Sequence, residues 1–218
     1  PAGESGDTND NITLASLEEP ASVAETLPRE NRLYGFQWDR QTWNNCGPAT
    51  ITIGLSYFGW QEDQSYAKSY LRPNREDKNV SPQELADFVN EQTGVRAMVR
   101  MGGTIDTLRT LLANDFPVIV ERGIMFEAND WLGHYQALVA YDDNATGFYA
   151  YDTFLGNGTN GEGEYQTYIA LDADWQHFNR TFIVIYQQGQ EPELEALLGD
   201  LYDAESAAEV AFNTAQEE

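Results

Sequence analysis

The sequence predicts an α+β protein with a helical N-terminal half, a C-terminal half built as an antiparallel β-sheet, and a site in the cleft between them. Two observations carry this. Up to about residue 114 the apolar residues recur at helical spacing, and after Pro117 they fall in short runs at strand spacing, separated by turn residues.

Residues 1–30 are rich in Asp, Glu, Ser, Thr, Asn and Gly and read as an acidic flexible leader or linker, with room for one short helix around Leu14–Ala24. The main domain is expected over residues 31–190. From Trp43 to Gly59 an aromatic residue, an Asn pair and Cys46-Gly47-Pro48 precede Ile51, Leu55 and Phe58 on one helical face. Asn45 is a natural cap, Pro48 suits a first turn, and Gly59 is the stop, so Cys46 opens a buried helix. Ser81-Pro82-Gln83-Glu84 opens a second helix through about Glu91, and Thr104-Ile105-Asp106 a third through about Asn114. Strands are expected at Val118–Glu121, His134–Tyr141, Gly147–Asp152, Tyr165–Leu171 and Thr181–Tyr186. Asp142–Gly147 and the glycine-rich stretch Gly156–Gly163 supply turn material. Residues 191–218 form an acidic helical tail. Its Leu198-Gly199-Asp200-Leu201-Tyr202 and Ala211 stand at the offsets of a tetratricopeptide repeat, so the tail reads either as the start of such a repeat, offering a surface to a protein partner, or as a single helix packed on the domain.

The net charge of −24 argues against an extended polyanionic partner, so nucleic acid is excluded as a ligand. No apolar run reaches the roughly 20 residues that span a bilayer. One cysteine excludes an intrachain disulfide framework and a thiolate zinc site, and two histidines without a metal-binding spacing leave no metal or other cofactor implied. Serine-nucleophile, phosphate-loop and dinucleotide motifs are absent, which leaves Cys46 as the candidate nucleophile.

A thiol reacts as its thiolate, and the N–H groups of a first helical turn favour that form, more so beside an imidazolium. His134 begins a strand in the other half of the chain. Pairing Tyr141 with Gly147 across the following turn sets Asp152 opposite residue 136, on the face that His134, Gln136 and Leu138 share. A carboxylate there is expected to accept the Nδ1–H of His134 and steady the ring toward the sulfur. Each residue alone also has a plain reading, as a small buried thiol, a half-buried histidine and a turn-forming aspartate.

Four blocks occur in order: Gln41-x4-Cys46-Gly47-Pro48-Ala49, Pro117-Val118-Ile119-Val120, Gly133-His134-Tyr135-Gln136-Ala137-Leu138-Val139-Ala140-Tyr141-Asp142-Asp143, and Tyr151-Asp152-Thr153-Phe154-Leu155-Gly156. Together, over residues 33–187, they resemble the papain-like cysteine peptidases related to the bacteriocin-leader, double-glycine-processing enzymes. The resemblance implies a papain-like fold and a peptide or protein substrate. It also implies Cys46 as nucleophile, His134 as base and acid, Asp152 as the group orienting His134, and Gln41 as an oxyanion donor beside the Cys46 N–H. Gln41 lies five residues before the cysteine, where this group usually has six. Trp43 and Trp131 flank the proposed nucleophile and base and are expected as cleft walls, whereas His177 is expected to be structural.

Leader peptidases of this group are commonly fused to a membrane exporter. This chain carries an acidic helical segment instead, so recognition of a double-glycine leader is not carried over. Stand-alone relatives look like exported bacterial proteins, which implies an extracellular or cell-surface location. The chain begins at Pro1 without an initiator Met or a charged-then-apolar leader, as expected of a chain trimmed by processing or by design. Two other activities stay open: acyl transfer to an amine by the same triad, as in a transpeptidase or transglutaminase, and a peptidase-like binding module without catalysis.

Overall fold

Alternating apolar runs in the second half of the chain assemble into one seven-stranded antiparallel sheet. The computed structural model describes residues 27–74, 76–77, 79–127 and 130–217. Most of the leader, including the expected helix near Leu14–Ala24, lies outside the described residues. The strands are β1 (Glu30–Arg32), β2 (Val95–Arg100), β3 (Val118–Glu127), β4 (Asp130–Asp142), β5 (Gly147–Asp152), β6 (Glu164–Thr167) and β7 (Phe182–Gln187). They run in the order β2-β7-β3-β4-β5-β6, and β1 pairs with the end of β4. Strand β2 was not anticipated from the sequence. It is an edge strand, it comes from the helical half, and it is registered on β7 from Val95 opposite Gln187 to Arg100 opposite Phe182.

Helices cover both faces of the sheet. α1 (Cys46–Ser56), α2 (Gln64–Leu71) and α3 (Pro82–Gln92) bury Ile51, Leu55, Leu71, Leu85 and Phe88 against Ile119, Tyr135, Ala137 and Ile185. α4 (Ile105–Ala113), α5 (Tyr168–Trp175) and α6 (Glu191–Leu198) bury Leu108, Leu112, Leu171, Trp175 and Leu194 against Val118, Leu138, Phe148 and Val184 on the other face. α3 and α4 begin where the sequence predicts, each with a reciprocal capping box, Ser81 with Glu84 and Thr104 with Thr107.

α1 is enclosed on all sides, every residue from Gly47 to Ser56 being buried. It approaches the sheet closely at Gly54, where a Cβ would stand 2.6 Å from Ile185 Cδ1 and 3.2 Å from Ile119 Cδ1. Thr50 Oγ1 donates to the Tyr135 carbonyl at 3.2 Å and ties the helix to β4. Helix α2 has no clear sequence signature, because its polar residues Gln64, Ser65, Lys68 and Ser69 mask the short apolar stripe of Ala67 and Leu71.

Three expectations are corrected. The segment Tyr165–Leu171 is strand only to Thr167, whose hydroxyl accepts the Ala170 N–H and starts α5. Asn45 stands at the N-cap of α1, yet its side chain makes no cap bond, because it donates to Gln64 Oε1 at 2.9 Å. The tail does not continue one helix through Leu198–Tyr202. Gly199, at φ 53°, ends α6, a 3-10 turn covers Gly199–Leu201, and α7 (Ala204–Glu217) follows, so the repeat-like motif straddles a break. Leu194, Leu198, Ala207 and Ala211 are buried, and Arg100 Nε donates to the Tyr202 carbonyl at 2.7 Å, so the tail is docked on the domain.

The close approach at Gly54 makes a stability prediction. Gly54→Val overpacks the helix–sheet contact and should lower the unfolding free energy by about 1–3 kcal/mol. Denaturant titration of both proteins, with the slope unchanged and the midpoint lowered, is the check.

Candidate active site

Cys46 is the first residue of α1, and the loop before it is held by residues that have no sequence signature of their own. Gln64 in α2 accepts from Thr42 N at 2.8 Å and from Asn45 Nδ2 at 2.9 Å, and its amide donates to Asp39 Oδ2 at 2.6 Å and the Arg40 carbonyl at 2.8 Å. Arg72, just past α2, donates to the Asn44 carbonyl and, at 3.3 Å, to Asn45 Oδ1. With Asn45 so engaged and Pro48 lacking an N–H, the first turn of α1 carries no side-chain cap.

His134 and Asp152 meet across β4 and β5. Asp152 pairs with Gln136, as the hairpin arithmetic expected, but by a different route. The turn sets Asp142, not Tyr141, against Gly147, and a β-bulge between Leu138 and Ala140 restores the register. Without that extra residue Asp152 would oppose position 137 and its side chain would leave the face of His134. Because β5 ends at Asp152, β4 beyond Gln136 has a paired neighbour only in β3, and His134 lies at that opening.

The His134 ring is bound through Nε2, which lies 2.9 Å from Asp152 Oδ1. This corrects the expectation of an Nδ1 contact and leaves Nδ1 for the cleft whose lining His134 shares with Cys46. Asp152, with no exposed surface, accepts Phe154 N and Leu155 N on the same Oδ1, both at 2.7 Å, and Gln136 Nε2 on Oδ2 at 2.6 Å. It is therefore turn former and histidine partner at once. Burial pushes its carboxyl up, but the hydrogen bond and charge of His134 and the amides of Gln136 and Leu155 outweigh this and hold it below the usual carboxylate range. Burial pulls the imidazolium down, and the bond and charge of Asp152 with the contact to Cys46 reverse this, raising His134 to about 9.

Gln136 shares the strand face of His134, but its role depends on tertiary partners. Its Oε1 accepts from Gln166 Nε2 at 3.1 Å and Arg122 Nη1 at 3.3 Å, so its NH2 end is turned to Asp152. Arg122 is held in turn by Asp174.

Cys46 and His134 open into a cleft of about 510 Å³ whose wall includes Gln41, Glu121, Trp131 and Tyr135. Gln41 is fixed at both ends. Its N–H donates to the Thr153 carbonyl at 3.0 Å and its Oε1 accepts the Thr153 hydroxyl at 2.7 Å, which leaves its NH2 group to donate. Trp131 stacks on Phe178, with centroids 5.5 Å apart, over a bare patch where Gly123 pairs with Gly133. A Cβ at Gly123 would stand 2.6 Å from Trp131 Nε1. His177 packs edge-on to Trp131. Trp43, expected as the other wall, is not part of the lining. It is 92% exposed on the loop before Cys46. Among the described residues no three His, Cys, Asp or Glu side chains gather as a metal site.

A helix-borne cysteine and a strand-borne histidine held by a buried carboxylate line one cleft with a fixed glutamine amide, an arrangement that can support thiol chemistry. The sequence model of the Peptidase_C39 like family matches residues 30–189, and the chain belongs to that family. It is a cysteine peptidase by family, and no curated protein matches it. The fold is similar to that of a C39-like peptidase from Bacillus anthracis, with 12% identity, TM-score 0.57, and coverage of 74% of this chain and 99% of that one. It is also similar to the peptidase domain of Streptococcus ComA, a bifunctional ABC transporter of a quorum-sensing pathway, with 14% identity, TM-score 0.52 and coverage of 71% and 100%. Xylellain, a cysteine protease from Xylella fastidiosa, aligns with 14% identity, TM-score 0.51 and coverage of 74% and 87%. At these identities the likeness is one of fold.

The electrostatics of the pair predict a measurable shift. Asp152→Asn removes the charge that holds the proton on the ring, so His134 should titrate well below 9, nearer the ordinary 6.5, in an NMR titration of the imidazole. Gln136→Leu should move it the same way by less, since the carboxylate remains. Because the native value is raised, the stability it contributes is complete below about 6.5 and is lost as pH rises through about 9. A midpoint unchanged in Asp152→Asn would contradict this account.

Proposed function

We propose that the protein hydrolyses peptide bonds through an acyl-thioester on Cys46. The observation that carries this reading is the His134 ring bound at Nε2 to buried Asp152 while the ring and Cys46 line one cleft. The thiolate adds to the scissile carbonyl, and the oxyanion is met by the Cys46 N–H and the Gln41 amide, whose other end Thr153 holds. His134, as imidazolium, gives its proton to the leaving amine, and the thioester remains on Cys46. The neutral ring then takes a proton from water as that water attacks the thioester. Collapse of the second tetrahedral species expels the thiolate and frees the acid product. Asp152 orients the ring and offsets its charge throughout, without itself taking the proton.

Substrates on this reading are extended peptide segments lying along the wall formed by Trp131 and Phe178. Specificity for a double-glycine leader is no part of the proposal. An extracellular or cell-surface location in a bacterium is part of it. No helix among the described residues is long and apolar enough to cross a membrane.

Cys46→Ala should abolish turnover, and Gln41→Ala should lower kcat by about 10²–10³-fold with the fold intact. Turnover should decline as pH rises through about 9, where His134 loses the proton it must deliver. Iodoacetamide should label Cys46 faster than free cysteine at neutral pH, in a Cys46-dependent manner read by mass spectrometry. Full hydrolysis by Cys46→Ala would sink the mechanism, and labelling at the free-cysteine rate would favour a binding module.

A further inference from the structure

The cleft holds one acid that the hydrolytic steps leave idle. Glu121 lies in β3 opposite Tyr135, the residue after His134, and its carboxyl forms part of the cleft wall with Cys46 and His134. It is partly buried, against the Tyr135 hydroxyl, which donates to the Val80 carbonyl at 2.8 Å. The strand beside it is bare at Gly133, where a Cβ would come 3.9 Å from Glu121 Oε1. Among the described residues Glu121 has no ion-pair partner and no Lys or Arg lines the cleft. The neighbouring Arg122 pairs with Asp174. The second acid of the lining, Glu84, is already engaged, accepting Ser81 N and Ser81 Oγ, both at 2.7 Å, in the capping box of α3. Burial pushes Glu121 up to about 7, against a smaller downward pull from Tyr135.

We propose that Glu121 is a specificity-determining residue that receives a positively charged group of the substrate, an ammonium or guanidinium, close to the scissile bond. The inference rests on the peptidase reading and adds the class of substrate. A carboxylate taken partly out of water is stabilised when a cation arrives with it, and the ion-paired hydrogen bond strengthens as the substrate excludes solvent. The apolar wall at Ile124, Trp131 and Leu132 suits the methylene stem of a basic side chain whose head reaches the acid. An acidic side chain would instead face two carboxyls.

The test is alkylation of Cys46 in the full chain by peptidyl chloromethyl ketones, which needs entry to the cleft but no turnover. With the amino terminus blocked, a lysine probe should react about tenfold faster than its norleucine counterpart at about pH 8, the scale of one hydrogen bond to a charged group. A glutamate probe should be slowest. A norleucine probe with a free amino terminus separates the two sources of the cation, and preference for either one supports the assignment. In Glu121→Gln the ratio of cationic to neutral probe should collapse to about one. The wild-type ratio gives an independent readout should that variant misfold: it should rise from about pH 6 to about pH 8 as Glu121 ionises. Among the described residues the other titratable groups facing this space are Cys46, His134, Tyr135 and Glu84. Cys46 and His134 act on both probes alike and cancel in the ratio, Tyr135 is raised above its ordinary 10.0, and Glu84 is held by Ser81. Equal rates for cationic and neutral probes at Cys46 would overturn the assignment and leave the peptidase reading standing. Failure of every probe to modify Cys46 would overturn both.

Discussion

A carboxylate with no exposed surface is tolerable only if every lone pair finds a donor, and much of this molecule is arranged to satisfy Asp152. Two backbone amides of the turn after β5, the His134 ring and the Gln136 amide all point at it. Trp38 Nε1, at 2.9 Å from the Asp152 carbonyl, fastens the same residue to the segment that precedes the nucleophile loop. The bulge between Leu138 and Ala140 is the geometric condition for this. It lets Leu138 and Tyr141, three apart, both face the core beneath α4 and α5 while still presenting Asp152 to His134.

The nucleophile is held by a different logic. α1 is packed on every side and cannot shift without disturbing the core, so a thiol at its first residue has a fixed address. The loop before it, which carries Gln41, has no regular structure and relies on Gln64 and Arg72 for its shape. Helix α2 thus serves the site without touching the reacting atoms.

Two acids in the strands that flank β4 are tuned in opposite directions by their surroundings. Asp152 is surrounded by donors and kept ionised, which keeps His134 protonated to about pH 9. Glu121, in the cleft lining, is desolvated with only a smaller opposing pull from Tyr135. Separation of two carboxyl groups by environment alone gives one a structural and electrostatic duty and leaves the other responsive near neutrality.

Much of this was legible from residue order and spacing. Local rules place Cys46 at a helix start, cap α3 and α4, and bring His134 and Asp152 to one strand face, because capping and alternation depend on near neighbours only. Those rules fail where a partner distant in sequence decides. Asn45 gives up its cap to Gln64, Thr167 turns a strand into α5, and Val95–Arg100 becomes a strand because β7 offers it an edge. The choice of Nε2 over Nδ1, the bulge that corrects the hairpin register, and the burial that separates Asp152 from Glu121 belong to tertiary structure. Each depends on which groups share a space and which are shut off from water, and a linear order of residues does not contain that information.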